Sequence, residues 1–431
     1  MPRIVPVWTV PGAPHPRPAA PGPTVIHQVS QLPAAVVDQM RHPGPLENPL
    51  LAAAVLGAAA LLAGCWVAAA VRRRRQRRRP SHQLAKRLGF GAALTVLLTV
   101  GGLLAVNSYV GYLPTTTALT DLLTGRQVEA GAVPAALPPG PAAAASRLGR
   151  WSAARHGLAR VPTTPVTTTA SQLVQLRIGA PGLGVPPSTT YVYLPAGYTD
   201  PRNADVRYPV VYLIHGYPGG AGDWLVAGRA RQTADLLQQD GLTRPMIMVF
   251  PNANGGWLHD SECLNAVGGQ QLETYLTRTV VQTIDRTFRT IPSRQGRAVA
   301  GMSSGGYCAL NLGLRHLATY STILSSMPYG DPGQRPLTRL LGGSRALFRA
   351  NSPSWYVTRM AFPQPVAVFL DAGADDLYTR RTAQTLARDL AARGQYVALR
   401  LAPGLGHTWR EARVELPYSL VFASAHLLQP G

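Results

Sequence analysis

Two stretches constrain this chain more than anything else in it: LLAAAVLGAAALLAGCWVAAAV at 50–71 and LGFGAALTVLLTVGGLLAVNSYVGYL at 88–113. Each offers about 20 uncharged, mostly apolar residues, enough for a helix to cross the hydrocarbon layer of a bilayer. Between them lies VRRRRQRRRPSHQLAKR, which contains eight Arg and Lys86. Buried core helices would have amphipathic neighbours, and none surround these segments. A signal peptide would start nearer the N-terminus and be shorter. The pattern predicts transmembrane helices at 49–71 and 88–113, joined by an Arg-rich loop at 72–87. Positive-inside logic puts that loop in the cytoplasm and both chain ends outside. The expected location is therefore the cell membrane, multi-pass, with the long C-terminal part extracytoplasmic.

The formal net charge of +21 is unevenly spread. From residue 166 onward, 24 Arg face 16 Asp plus Glu, which leaves only +8. The excess sits in the Arg block, which has no interleaved aromatics and borders apolar segments. That reads as a membrane-proximal loop, and nucleic acid is not an expected partner. Residues 1–48 are rich in Pro and Ala (PGAPHPRPAAPGP) and are expected to be disordered. Residues 114–165 (AVPAALPPGPAAAAS, VPTTPVTTTA) are expected to form an extended linker.

From 166 to 431 short β-rich runs alternate with helical stretches. LVQLRIGA and TTYVYLP read as opening strands, paired antiparallel. YPVVYLIHG and PMIMVFPNAN are continuous apolar runs suited to strands buried on both faces. DWLVAGRARQTADLLQQDG reads as one helix closed by Gly241, and QLETYLTRTVVQTIDRTF as an amphipathic helix. The strands in GRAVAGMS, PVAVFLDAG and QYVALRLAPG follow, separated by the helices GGYCALNLGLRHL and RRTAQTLARDLAARG. Such alternation over roughly 260 residues predicts one α/β domain with a mostly parallel sheet, its chemistry at the carboxyl ends of the strands.

One of those ends carries Gly301-Met302-Ser303-Ser304-Gly305, a G-x-S-x-G pattern between a strand and a helix. That context is what a nucleophile elbow requires, because a sharp strand-to-helix turn exposes the serine above the sheet. A serine hydroxyl needs a histidine to take its proton and an acid to orient that histidine. In this fold they follow in the order Ser, acid, His, each after a strand. Asp371, Asp375 and Asp376 follow one strand and His407 the next; His316 and His426 fall in helices. The oxyanion hole is expected from the backbone N–H of Ser304 and of Tyr217, in the loop HGYPGG, with His215 shaping that turn.

Taken together, LIHGYPGG…DW, GMSSGGYCAL, DAGADD and GLGHTW resemble the putative-esterase group of α/β-hydrolases, which includes esterase D (S-formylglutathione hydrolase) and the antigen 85 mycolyltransferases. The resemblance covers about 170–430. It implies an α/β-hydrolase fold preceded by the two transmembrane helices, with Ser303 as nucleophile, His407 as base and Asp376 as acid, Asp375 being the alternative acid. Ser304 stands where relatives usually carry an apolar residue. The membrane-tethered layout resembles actinobacterial members of the group.

Cys263 and Cys308 fall in the domain placed outside, where an oxidising compartment allows a pair to bond. Related actinobacterial sequences carry a similar pair; two unpaired buried thiols are the alternative. Cys65 lies in the first span. The run HDSEC is too crowded locally for a zinc site, and the proposed chemistry needs no metal or cofactor. Residues 328–356 form a long insert expected to cover the pocket; Trp224 and Trp257 are expected either at its mouth or in the core. The expected activity is a membrane-anchored serine esterase acting on an acyl ester such as a cell-envelope lipid or sugar ester. One rival is an acyltransferase, mycolyltransferase-like, that passes the acyl group to a sugar or lipid hydroxyl. Another is a catalytically silent hydrolase-fold binding module.

Overall fold

The computed structural model describes residues 25–27, 29, 31–75, 83–132, 169–255 and 259–431. It opens with β1 (Ile26–His27), α1 (Ala34–Arg41) and two long helices, α2 (Pro49–Arg75) and α3 (Gln83–Val110). Both are long and apolar enough to cross a membrane, and only 11% and 6% of their apolar windows are buried. A core helix would be covered, so these two are not core helices. They form a hairpin: Trp66 stacks on Phe90, and Leu56 packs against Gly101, where a Cβ would collide with it. The helices run further into the Arg-rich segment than the expected 72–87 loop, to Arg75 and from Gln83, and α3 stops at Val110 rather than residue 113.

α4 (Thr116–Thr124) and β2 (Gly131–Ala132) lead into β3 (Gln172–Ala180) and β4 (Val185–Leu194). Then come β5 (Val210–Ile214), α5 (Asp223–Val226), α6 (Ala230–Gln239) and β6 (Ile247–Phe250). A helix follows whose middle, Tyr275–Val280, has π geometry between α7 (Leu272–Thr274) and α8 (Val281–Thr287). β7 (Arg297–Met302), α9 (Ser304–Arg315) and β8 (Thr322–Ser326) come next. The insert holds α10 (Gln334–Arg339), α11 (Arg345–Ala350) and α12 (Pro353–Tyr356). β9 (Ala367–Gly373), α13 (Leu377–Ala392), β10 (Tyr396–Ala402) and α14 (Trp409–His426) complete the chain.

Among the described residues the strands form one sheet in the order β1-β10-β9-β8-β7-β5-β6-β4-β3-β2. The expected antiparallel opening pair is β3 with β4, and β4 also runs antiparallel to β6; the other pairs are parallel. In β5, Val210, Tyr212 and Ile214 join one apolar core with α8 and α9, while Val211 and Leu213 join the other with α6 and α14. A strand apolar at every position is what two covered faces demand.

Three expectations change. The N-terminal segment is not without structure: β1 adds to the sheet beside β10, and Val36 and Met40 of α1 are buried. Residues 1–24 lie outside the described residues. The expected linker is folded over α4 and β2, with Thr115 capping α4 and Gly125 closing it in a left-handed turn, while 133–165 lie outside the described residues. The single helix expected over 223–241 is broken at Arg229, which has φ 50°. The break leaves the carbonyl of Ala227 free to accept from Arg413 Nε, 2.9 Å away.

Candidate active site

β7 delivers Ser303 into a turn with φ 58° and ψ −123°, strained for a residue with a side chain, and α9 starts at the next residue. The turn is that tight because its flanks are glycines. A Cβ on Gly301 would run into the carbonyl of Gly305, and one on Gly305 into the carbonyl of Ile214. β9 leads to Asp376, which caps α13 through its side chain: Oδ1 accepts from the backbone N–H of Tyr378 at 3.2 Å and of Thr379 at 3.4 Å. β10 leads to His407. The two strand ends meet above the elbow, where His407 Nε2 lies 2.8 Å from Ser303 Oγ and His407 Nδ1 lies 2.8 Å from Asp376 Oδ2.

The same Oδ2 accepts a 2.5 Å hydrogen bond from the Thr379 hydroxyl. Partial burial pushes the Asp376 carboxyl up, but the bonds from Thr379 and His407 outweigh it and hold the acid below its ordinary range. An ionised Asp376 fixes the proton on Nδ1 and leaves Nε2 to accept from Ser303, as a general base must. Asp375, the alternative acid, is exposed, and its N–H donates to the carbonyl of Leu405 at 3.1 Å. Asp371 lies in the core with Arg400, 2.6 Å away. Of the three carboxylates, Asp376 is the one within hydrogen-bond distance of the His407 imidazole.

Sequence reasoning missed Tyr329, whose hydroxyl stands 2.8 Å from Ser303 Oγ and whose ring lies parallel to that of His407, centroids 6.1 Å apart. Burial keeps its phenol neutral, raised from the ordinary tyrosine value. With Ser303 donating to His407, Tyr329 donates to Ser303. A tyrosine one residue past MP, after β8, was the available signal.

Tyr217 and its neighbours Gly216 and Pro218 line the cavity beside Ser303, and Ser304 opens α9. His215 holds the loop in shape: Nδ1 lies 2.8 Å from Gly216 O and Nε2 accepts from Ala253 N–H at 3.1 Å. His316 lies beside Glu273 and His426 beside Phe422 O. Trp224 is core, donating from Nε1 to Ile214 O; Trp257 lies outside the described residues. Cys263 and Cys308 are joined, Cα atoms 5.7 Å apart, tying the loop after β6 to α9 across 45 residues. Closing a loop of that length stabilises by about 4 kcal/mol on chain entropy.

The cavity at Ser303 is about 1070 Å³. The insert at 328–356 brings Tyr329 to Ser303, and none of its other residues lines this cavity. Its outer wall is upstream sequence: Leu103, Val106 and Val110 of α3, Leu122 of α4, and Val128. These join the catalytic domain through buried polar contacts. Arg413 forms a two-pronged pair with Glu47 (2.9 and 2.7 Å) and donates to the carbonyl of Gly111 (2.8 Å), and Tyr112 Oη donates to Asp223 (3.1 Å). Burial pushes Glu47 up, but Arg413 outweighs it and keeps the carboxyl ionised below its ordinary range.

The family described as "Putative esterase" is matched over residues 187–409. An uncharacterized Corynebacterium glutamicum protein is 31% identical over 169 residues, 38% of each chain. An esterase of Mycobacterium tuberculosis is 33% identical over 137 residues, 31% of this chain and 27% of that protein. The matches thus span well under half the length of these relatives. Among solved structures, a ferulic acid esterase superposes with a TM-score of 0.53 at 25% identity, covering 60% of this chain and all of that one.

Proposed function

The chain belongs to the Putative esterase family, and from that premise we propose that it is a membrane-anchored serine esterase with its catalytic domain outside the cytoplasm. The observation that carries the reading is the relay of two 2.8 Å contacts from Ser303 through His407 to Asp376. Ser303 Oγ attacks the ester carbonyl as His407 Nε2 takes its proton. The oxyanion accepts from the N–H groups of Ser304 and Tyr217. As the carbon–oxygen bond to the alcohol breaks, His407 returns the proton to the leaving oxygen, and the acyl group stays on Ser303. Water, deprotonated by the same imidazole, then releases the acid and regenerates the hydroxyl.

Anchoring is supported by α2 and α3, and the outside location by the Arg block at their far end together with the Cys263–Cys308 bond. The domain limits follow: helices at 49–75 and 83–110, and a catalytic unit from 166 to 431 that also recruits residues 26–48 and 111–132. The reading is tested with the full chain in detergent and a p-nitrophenyl butyrate assay. Hydrolysis with a burst of one p-nitrophenolate per Ser303, abolished in Ser303→Ala, supports it. Folded protein with no turnover would favour a binding module. Acyl transfer to an added sugar or lipid hydroxyl in preference to water would make the enzyme a transferase.

A further inference from the structure

We infer that the acyl donor is a long-chain ester that reaches Ser303 sideways from the bilayer, through a port whose wall is α3 itself; this rests on the proposed activated serine and the proposed membrane span. The cavity at Ser303 and His407 continues to Leu103, Val106 and Val110. Val106 lies four residues and Leu103 seven residues before Val110, the last residue of α3. At about 1.5 Å per residue these are about 6 and 10 Å below the helix end. The 25-residue candidate span from Lys86 to Val110 is about 37 Å long against about 30 Å of hydrocarbon, so when centred each end projects by about 4 Å. Leu103 therefore sits inside the hydrocarbon layer, and one continuous cavity joins that depth to the serine.

The port opens sideways. Leu103 and Val106 wall the cavity and yet are 66% and 62% exposed, so none of the described residues closes it on their side. α4 extends the apolar margin with Leu122 and Leu123, 56% and 77% exposed, the disposition of a short helix lying in the membrane interface. On the water side the same cavity meets Arg126 and Arg177, which leaves a polar edge for a head group. The arrangement is fixed: Arg413 grips both Glu47, just before α2, and Gly111, just after α3, and Asn107 Nδ2 donates to the carbonyls of Leu46 and Leu113. A domain on a loose tether would use neither span as part of its active-site wall.

The test uses the full chain in phosphatidylcholine vesicles and two probes, a short water-soluble fluorophosphonate and a hexadecyl fluorophosphonate carried in the bilayer. The readout is the ratio of the long-chain to the short-chain labelling rate at Ser303. Leu103→Trp and Val106→Trp should lower that ratio about tenfold or more, the equivalent of about 1.4 kcal/mol in barrier. Leu88→Trp, on the same helix but outside the cavity, should leave it unchanged; two positions on different turns guard against misfolding of one variant. An unchanged ratio in both port variants, or an equal fall in Leu88→Trp, overturns the port while leaving the serine reading intact. Wild-type protein that labels with neither probe overturns the serine reading and the port with it. Protein that fails to float with the vesicles overturns the anchor and the port together.

Discussion

The hydroxyl of Tyr329 lies 2.8 Å from Ser303 Oγ, an oxygen that is also 2.8 Å from His407 Nε2. The Ser303 hydroxyl therefore holds one donor and one acceptor at once, which fixes the direction of its own proton toward His407. Tyr329→Phe removes that constraint and keeps the ring packed on His407. A hydrogen bond of this kind is worth about 1–2 kcal/mol, so kcat/KM for a soluble ester should fall about 5- to 30-fold, mostly in kcat. Tyr329→Leu, which also loses the stack, should fall further.

The two adjacent acids separate cleanly. Asp376→Asn leaves His407 Nδ1 facing an amide and favours the wrong tautomer, so kcat should drop roughly 10³- to 10⁴-fold. Asp375→Asn should stay within about threefold of wild type, since an exposed carboxylate not bonded to the imidazole has little to contribute. Steady-state kinetics of the two variants side by side check this.

Arg413 and Glu47 are both about 1% exposed and lock the span ends to α14. Arg413→Met leaves the buried Glu47 carboxylate with only the more distant Arg229, 3.7 Å away, which should destabilise by about 3 kcal/mol. Adding Glu47→Gln should recover part of that loss, because the fully buried carboxylate is then neutral and only the partly exposed Arg229 loses a partner. Thermal midpoints of the full chain in detergent read both, and equal midpoints for the single and double variants would refute the pairing.

Stability should also fall as pH rises. Burial first, and then the nearby Asp371 carboxylate, push the Glu415 carboxyl up to about 8, and Glu411 is raised well above its ordinary value by burial and the same neighbour. The folded state then holds protons that the unfolded chain has already released. Glu415 thus contributes a loss of up to about 1.4 kcal/mol per pH unit between about pH 4.5 and 8, flat on either side. Glu415→Gln should flatten that slope in part, with Glu411 supplying the remainder. Unfolding midpoints taken from about pH 5 to about pH 8 would show it.

Ser303, Asp376 and His407 were singled out in the sequence because each comes at or within five residues of the end of a mostly apolar strand, and strand order dictates which ends meet. The two spans were legible for the same reason, long uninterrupted apolar runs. The cavity wall was not. α4 has nine residues, too few for its period to stand out, although Thr115 and Gly125 mark its two ends. β1 and β2 are two residues each and exist only through β10 and β3. Tyr329 is marked in the sequence only by its place after Met327-Pro328; the packing of the segment after β8 onto the elbow is what brings it to Ser303. The break at Arg229 likewise goes with a tertiary contact, the bond from Arg413 to the carbonyl of Ala227.

The most direct test is to treat the full chain with a water-soluble fluorophosphonate and map the adduct by peptide mass spectrometry. The account predicts one adduct, on Ser303, absent in Ser303→Ala and slowed at least about a hundredfold in His407→Ala. Folded protein with no adduct, or with the adduct on another residue, would contradict it.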